Sequence, residues 1–138
     1  MRIHLVLNYA NISFCGLYNH IKTFEIHFES LRNSNVAYSF IIMLHEKYRS
    51  ERSVSWYAAQ AHMSTGHFSA IIRETTGQSP SEWISSVTTT YAKLLLEQTD
   101  KSIKEIANEL NFPEQFTFRK YFKRYAGVSP TDYRNESR

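Results

Sequence analysis

The sequence predicts an all-α protein: two similar small helical units joined by one long connector helix, with one or two helices ahead of them. Three observations carry that expectation. Gly 4 and Pro 3 in 138 residues leave little material for a loop-rich sandwich and favour long, uninterrupted elements. Apolar residues recur at helical spacing through most of the chain. The second half repeats itself, first at an offset of 49 and then, after one extra residue, at 50.

In chain order, residues 1–35 read as an N-terminal segment with a helix over 17–33, where Leu17, Ile21, Phe24, Phe28 and Leu31 share one stripe. That stripe either packs on its own domain or pairs with another protomer. Residues 36–49 (VAYSFIIMLHEKYR) read as a second helix, expected to cap the first unit of a domain running over 36–138.

The first unit spans about 53–76. SVSWYAAQAH is its first helix, Ser64 caps TGHFSAIIRET as its second, and Gly77 ends that helix. The connector follows over about 80–99, with Trp83, Ile84, Val87, Tyr91, Leu94 and Leu95 on its apolar side. Thr88-Thr89-Thr90 is poor helix material alone, so tertiary packing must hold that turn.

The second unit spans about 102–125. Ser102 is a natural N-cap, and Glu105 stands where it would complete a capping box. Ile103, Ile106, Ala107 and Leu110 lie on one face, and Asn111 tolerates the left-handed conformation that ends a helix. Pro113 suits the first turn of the next helix, PEQFTFRKYFKRY, whose buried stripe is Phe118, Tyr121, Phe122 and Tyr125. Gly127 ends it, and Ser129-Pro130 opens a last short helix. The matches that bind the two copies are Ser53-Val54 with Ser102-Ile103, Ala58 with Ala107, Met63 with Phe112, Phe68 with Phe118, and Gly77 with Gly127. Ser79-Pro80 pairs in the same way with Ser129-Pro130, and Trp83 with Tyr133.

Composition narrows the function. The 16 Lys+Arg against 13 Asp+Glu give +3, which only mildly favours a polyanionic partner. The charge is uneven: residues 51–100 hold three basic and five acidic side chains, residues 101–138 eight and five. Arg119, Lys120, Lys123 and Arg124 fall within six residues. The single Cys15 excludes an intramolecular disulfide framework. His20, His27, His62 and His67 have no cysteine cluster or carboxylate set to complete a metal shell, so neither metal nor cofactor is expected. No Ser–His–Asp spacing, phosphate loop or carboxylate pair points to an enzyme. The apolar patches near the N-terminus and at Phe40–Leu44 are five residues long, far short of a membrane span, so the cytoplasm is the default location.

Helix, tight turn, helix is the architecture that places its second helix in the DNA major groove. Ala58 and Ala107 are small enough to let the two helices of each unit approach closely. A connector of about 20 residues spans ~30 Å, close to the ~34 Å between successive major-groove faces.

Residues 53–134 resemble the C-terminal DNA-binding domain of AraC/XylS-type bacterial transcription regulators. The resemblance rests on SIKEIANELNFPEQFTFRKYFKRYAGVSPTDYR together with an upstream half-similar unit ending in TGQSPSEWI. The YAAQAHMS and ELNFPEQ wording looks like the variant common in Bacteroidetes regulators. The resemblance implies a sequence-specific regulator that inserts two recognition helices into adjacent major grooves of double-stranded DNA. Carried over, Gln115, Phe116, Thr117, Arg119 and Lys120 face DNA, with Phe116 alternatively a partly buried or partner-facing aromatic, and Lys123 and Arg124 lie on phosphates or solvent. In the first unit the matching positions are the cap Ser64 with Thr65, Gly66, Ser69 and Ala70, and Arg73 falls where a phosphate or surface contact is expected rather than a base contact. With so little reach there, the second unit is expected to carry most base specificity. Thr88 departs from the pattern, since many relatives carry Arg at that place on the connector.

Such regulators usually carry a sensor or dimerising domain of over a hundred residues, for which 138 residues leave no room, so a fragment or a sensorless regulator is expected. The helix over 17–33 resembles the connector that normally precedes this domain. RNA polymerase and a second copy, held through residues 17–49, are the further partners implied. The alternative is a protein-interaction module that modulates a full-length relative through its N-terminal helices. Thr65, Gly66, Ser69 and Ala70 favour it, and the basic cluster at 119–124 opposes it.

Overall fold

The structure, a computed structural model, describes residues 14–138, with side chains from Asn19 onward; the N-terminal apolar patch and the Cys15 and Leu17 side chains lie outside it. Among the described residues there are seven helices and no strand. They are α1 (Phe14–Lys47), α2 (Val54–Gln60), α3 (Thr65–Thr76), α4 (Pro80–Gln98), α5 (Ile103–Glu109), α6 (Gln115–Ala126) and α7 (Pro130–Ser137). Among the described residues, no helix is long and apolar enough to cross a membrane.

α1 corrects one expectation. The two helices read over 17–33 and 36–49 run as one, 34 residues long. Asn33-Ser34-Asn35 are weak helix formers but include neither Pro nor Gly, so nothing breaks the hydrogen-bond ladder there. Only the C-terminal half of α1 is packed. Ala37, Phe40 and Leu44 join Tyr57, Ala58, Phe68, Ile72 and Ile84 in the first core. The Phe40 ring stands edge-on to Tyr57 and Phe68, with centroids 5.3 and 5.4 Å away. In its N-terminal half, among the described side chains, Ile21, Phe28 and Leu31 of the apolar stripe are exposed and Phe24 is half-buried.

The second core gathers Ile106, Ala107, Leu110, Phe112, Phe118 and Phe122 with Ala92, Leu95 and Leu96 of the connector. α4 thus belongs to both cores, and Thr88 and Thr89 are buried at its middle, as that turn requires. One register detail differs from expectation: Leu94 is exposed and Leu96 is fully buried. Over nineteen residues the buried face rotates toward the second unit, which a stripe fixed at the N-terminal end of the helix misses. The buried stripe of α6 is also narrower than expected, because Tyr121 is half-buried and Tyr125 exposed.

The complete capping box sits at Ser79 and Glu82, where side chain and backbone bond reciprocally. At Ser102 the hydroxyl accepts from the Glu105 amide, but the Glu105 carboxylate meets the Ser102 hydroxyl and not its backbone N–H, so that box is half made. Ser129 caps α7 through the Asp132 amide. The free carbonyls closing α4 are met by Arg134, which bonds Leu96 O at 3.1 Å, and Arg138, which bonds Thr99 O at 2.7 Å.

Gly77 and Gly127 end α3 and α6 at φ of 84° and 85°, each N–H returning to the carbonyl four residues back. A Cβ on Gly127 would meet nothing within 4 Å, so the cost of a side chain there is purely conformational. Gly127→Ala is therefore expected to lower the unfolding free energy by about 1 kcal/mol, read from urea denaturation. An unchanged midpoint would contradict it.

Candidate nucleic-acid interface

The two units build their turns alike. Beyond α2 and α5 the chain passes one residue at positive φ, His62 at 57° and Asn111 at 55°. The next amide then reaches back to a buried alanine: Met63 N donates to Ala58 O at 3.0 Å, and Phe112 N to Ala107 O at 2.9 Å. Asn111 announces such a turn by residue type; His62 does so only by its place in the repeat.

The units then diverge. In the first, Ser64 accepts the His67 amide at 3.2 Å and starts α3 directly. In the second, Phe112 seats its ring against Phe118 and Tyr121, with centroids 5.3 and 5.2 Å away. That anchor leaves Pro113 and Glu114 ahead of the helix, with Glu114 extended at φ −157° and making no side-chain cap bond. α6 therefore begins at Gln115, and Pro113 is not in its first turn.

With Phe118 and Phe122 buried, 3.6 residues per turn put Phe116, Lys120 and Lys123 on the opposite face of α6. All three are exposed, Phe116 at 60%. The Lys120 Nζ lies 5.3 Å from the Phe116 ring centroid. Gln115 is exposed at the start of the helix and Thr117 is half-buried at its flank. Arg119 is turned away from this face, donating to the Thr131 hydroxyl of α7 at 3.2 Å. Arg124 is exposed beside the Tyr125 ring.

On α3, Phe68 and Ile72 are buried, so Gly66, Ala70 and Arg73 occupy the equivalent outward positions. Thr65 and Ser64 are exposed at the helix start and Ser69 is half-buried. One unit thus presents an aromatic ring, two ammonium groups and the Arg124 guanidinium, and the other presents Gly66, the Ala70 methyl, Arg73 and Glu74.

Sequence reasoning missed the loop after α1. Arg52 donates to the carbonyls of Leu110 and Asn111, the latter at 3.0 Å, and its guanidinium lies 3.9 Å from the Phe112 ring centroid. Burial holds its pKa below the ordinary arginine value. In return the Asn111 side-chain Nδ2 donates to Arg49 O at 3.0 Å, and the Arg49 guanidinium stacks 4.5 Å from the Tyr91 ring centroid. The chain entering the first unit is thereby tied to the turn of the second. A further tie joins α4 to α5: Glu109 accepts from Lys101 at 2.6 Å and from the Tyr91 hydroxyl at 3.0 Å. The Lys101 ammonium holds the Glu109 carboxyl below its usual pKa.

Residues 57–136 match a protein family described as a helix-turn-helix domain. The Msm operon regulatory protein of Streptococcus mutans is 33% identical over 112 residues, which are 80% of this chain and 40% of that protein. The HTH-type transcriptional regulator YtdP of Bacillus subtilis is 31% identical over 104 residues, 75% of this chain and 14% of that protein. The chain therefore spans less than half the length of these relatives. Among solved structures, the DNA-binding domain of AdpA in complex with a target DNA superposes with a TM-score of 0.64 at 30% identity, covering 72% of this chain and 90% of that one. The C-terminal domain of the response regulator yesN from Fusobacterium nucleatum gives 0.67 at 26% identity, covering 72% and 98%.

Proposed function

The chain belongs to the AraC/XylS-type family of helix-turn-helix proteins, and on that premise we propose that it is a sequence-specific DNA-binding transcription regulator. In this reading α3 and α6 enter adjacent major grooves, and α4, at 1.5 Å per residue, is a spacer of ~28 Å between them. The outward face of α6 carries the proposal: Phe116, Lys120 and Lys123 are exposed together on the side opposite the core, with Gln115 at its N-terminal edge. Gln115 suits adenine, Lys120 suits guanine, and the Phe116 ring suits a thymine methyl. Thr117 and Arg119 serve from the flanks, and Lys123 and Arg124 serve phosphates. Ser64, Thr65, Gly66, Ser69, Ala70 and Arg73 position the first unit by backbone approach and groove shape, with little direct base readout.

The domain in this proposal runs over 36–138, and residues 1–35 form its lead-in. Location in the cytoplasm, contact with RNA polymerase at a promoter and pairing of two copies through residues 17–49 belong to the same proposal.

Titration of promoter and scrambled duplexes at two salt concentrations tests it. Affinity for both should fall steeply with salt, and promoter DNA should stay roughly 10³-fold tighter or more. Failure to bind any duplex at low salt would sink the reading. It would leave the interaction-module alternative, to which the outward face of α3 is better suited.

A further inference from the structure

Among the described residues, one face of α1 is largely uncovered, with Phe24 half-buried and Asn35 bordering the groove lined by Tyr57, Gln60 and Phe68. Ile21, Phe28 and Ile42 are 42%, 51% and 43% exposed, Leu31 47% and Tyr38 68%. Their spacing is strict: Ile21, Phe28, Asn35 and Ile42 are seven apart, and so are Phe24, Leu31 and Tyr38 between them. Steps of three and four alternate without a slip along an unbroken helix. We propose that α1 pairs with the α1 of a second copy of this chain as a parallel, two-stranded coiled coil over residues 21–42. This deepens, and rests on, the pairing of copies in the reading above.

The period is the first argument. A helix packed on its own domain repeats at about 3.6 residues, whereas two helices wound around each other need 3.5. The seam from Ile21 to Ile42 spans just over three heptads, the length at which such a repeat becomes meaningful. Position on the helix is the second. Ala37, Phe40 and Leu44, which bury into the chain's own core, lie on the side of α1 opposite the seam. The domain cannot cover that seam without giving up its own packing, and only at Asn35 does the seam border a groove of the first core.

The flanking and polar residues select the occupant and its direction. Asn35 interrupts the seam at a position of the Ile21–Ile42 set, and it is exposed. Buried in a coiled coil it needs a polar partner, and parallel pairing in register sets it against the same residue of the second copy. His20 and Glu25, both exposed, flank the seam five residues apart, the spacing at which side chains of the two helices face each other across a parallel pair; the next such pair, His27 and Arg32, brings no carboxylate. Parallel pairing also places both DNA-reading domains at the same end of the rod.

Sedimentation equilibrium on the 138-residue chain should show a monomer–dimer equilibrium. Phe28→Glu should raise the dimer dissociation constant by roughly 100-fold or more, since it buries a carboxylate in the seam. Asn35→Ile should tighten association and admit higher oligomers. Far-UV circular dichroism and binding to a duplex holding one site show that both variants remain folded. For direction, Phe24→Cys and Tyr38→Cys are compared separately in a Cys15→Ser background under mild oxidation. Both should cross-link in a parallel pair, whereas an antiparallel pair lets at most one position meet itself. A monomer at all concentrations, an unaffected Phe28→Glu dimer, or cross-linking at only one position would each overturn the proposal. Monomeric protein that still selects its promoter would leave the DNA-binding reading intact, and a dimer that binds no duplex would strike only that reading.

Discussion

Arg52→Ala is expected to lower the unfolding free energy by about 2–4 kcal/mol, the largest single-residue effect proposed outside the apolar cores. The guanidinium holds the Leu110 and Asn111 carbonyls and covers the Phe112 ring. Its removal strands two acceptors in a partly buried turn and uncovers an aromatic side chain. Arg52→Lys should recover only part of the loss, because an ammonium on a flexible stem cannot fork across two carbonyls while lying flat on a ring. Urea denaturation followed by circular dichroism measures the stability. A second readout separates a clamp from a generic core contact: DNA carrying both half-sites should lose more affinity than DNA carrying one. Equal losses, or a stability change under about 0.5 kcal/mol, would show that Arg52 does not fix one unit against the other.

The second large effect concerns Lys120. Its ammonium stands at the centre of the outward face of α6, beside the Phe116 ring, and no carboxylate is paired with it among the described residues. If it reads a guanine, Lys120→Ala should cost about 1–3 kcal/mol on promoter DNA, a loss of roughly 5- to 150-fold. Scrambled DNA should be bound almost as before, and discrimination should relax at one base pair only. Equal losses on both duplexes, with a shallower salt dependence, would make Lys120 a phosphate contact. Lys123→Ala is the natural comparison, since it shares the face and is proposed to meet phosphate.

Much of this fold is legible because its punctuation is chemical. Ser64, Ser79, Ser102 and Ser129 cap the helices that follow them, and Gly77 and Gly127 close two of them in the left-handed conformation. The repeat locates the second turn from the first. What stays hidden has physical causes. Asn33-Ser34-Asn35 looks like a boundary because its residues favour turns, yet weak propensity without Pro or Gly seldom stops a helix that is packed beyond it. The start of α6 at Gln115 depends on where the Phe112 ring lodges, which is a tertiary event. Arg52 bonds backbone carbonyls 58 and 59 residues away, and a carbonyl has no residue type to betray it. At the candidate interface, residue types forecast a basic, aromatic face, and Phe116, Lys120 and Lys123 lie together on it. The turning of Arg119 toward Thr131 was beyond any argument from spacing.

The sharing of α4 between two cores has a consequence for how the molecule melts. Neither unit owns the wall it packs against, so losing either core strips cover from the helix that supports the other. Residues 36–138 should unfold in one cooperative step, with calorimetric and van't Hoff enthalpies in agreement. Among the described side chains of the N-terminal half of α1, from Asn19 to Ser30, none belongs to either core, and this stretch should exchange its amide hydrogens at far lower free-energy cost in the isolated monomer. The chain is then thermodynamically a single block bearing a soft arm, although its sequence is written as two units and a linker.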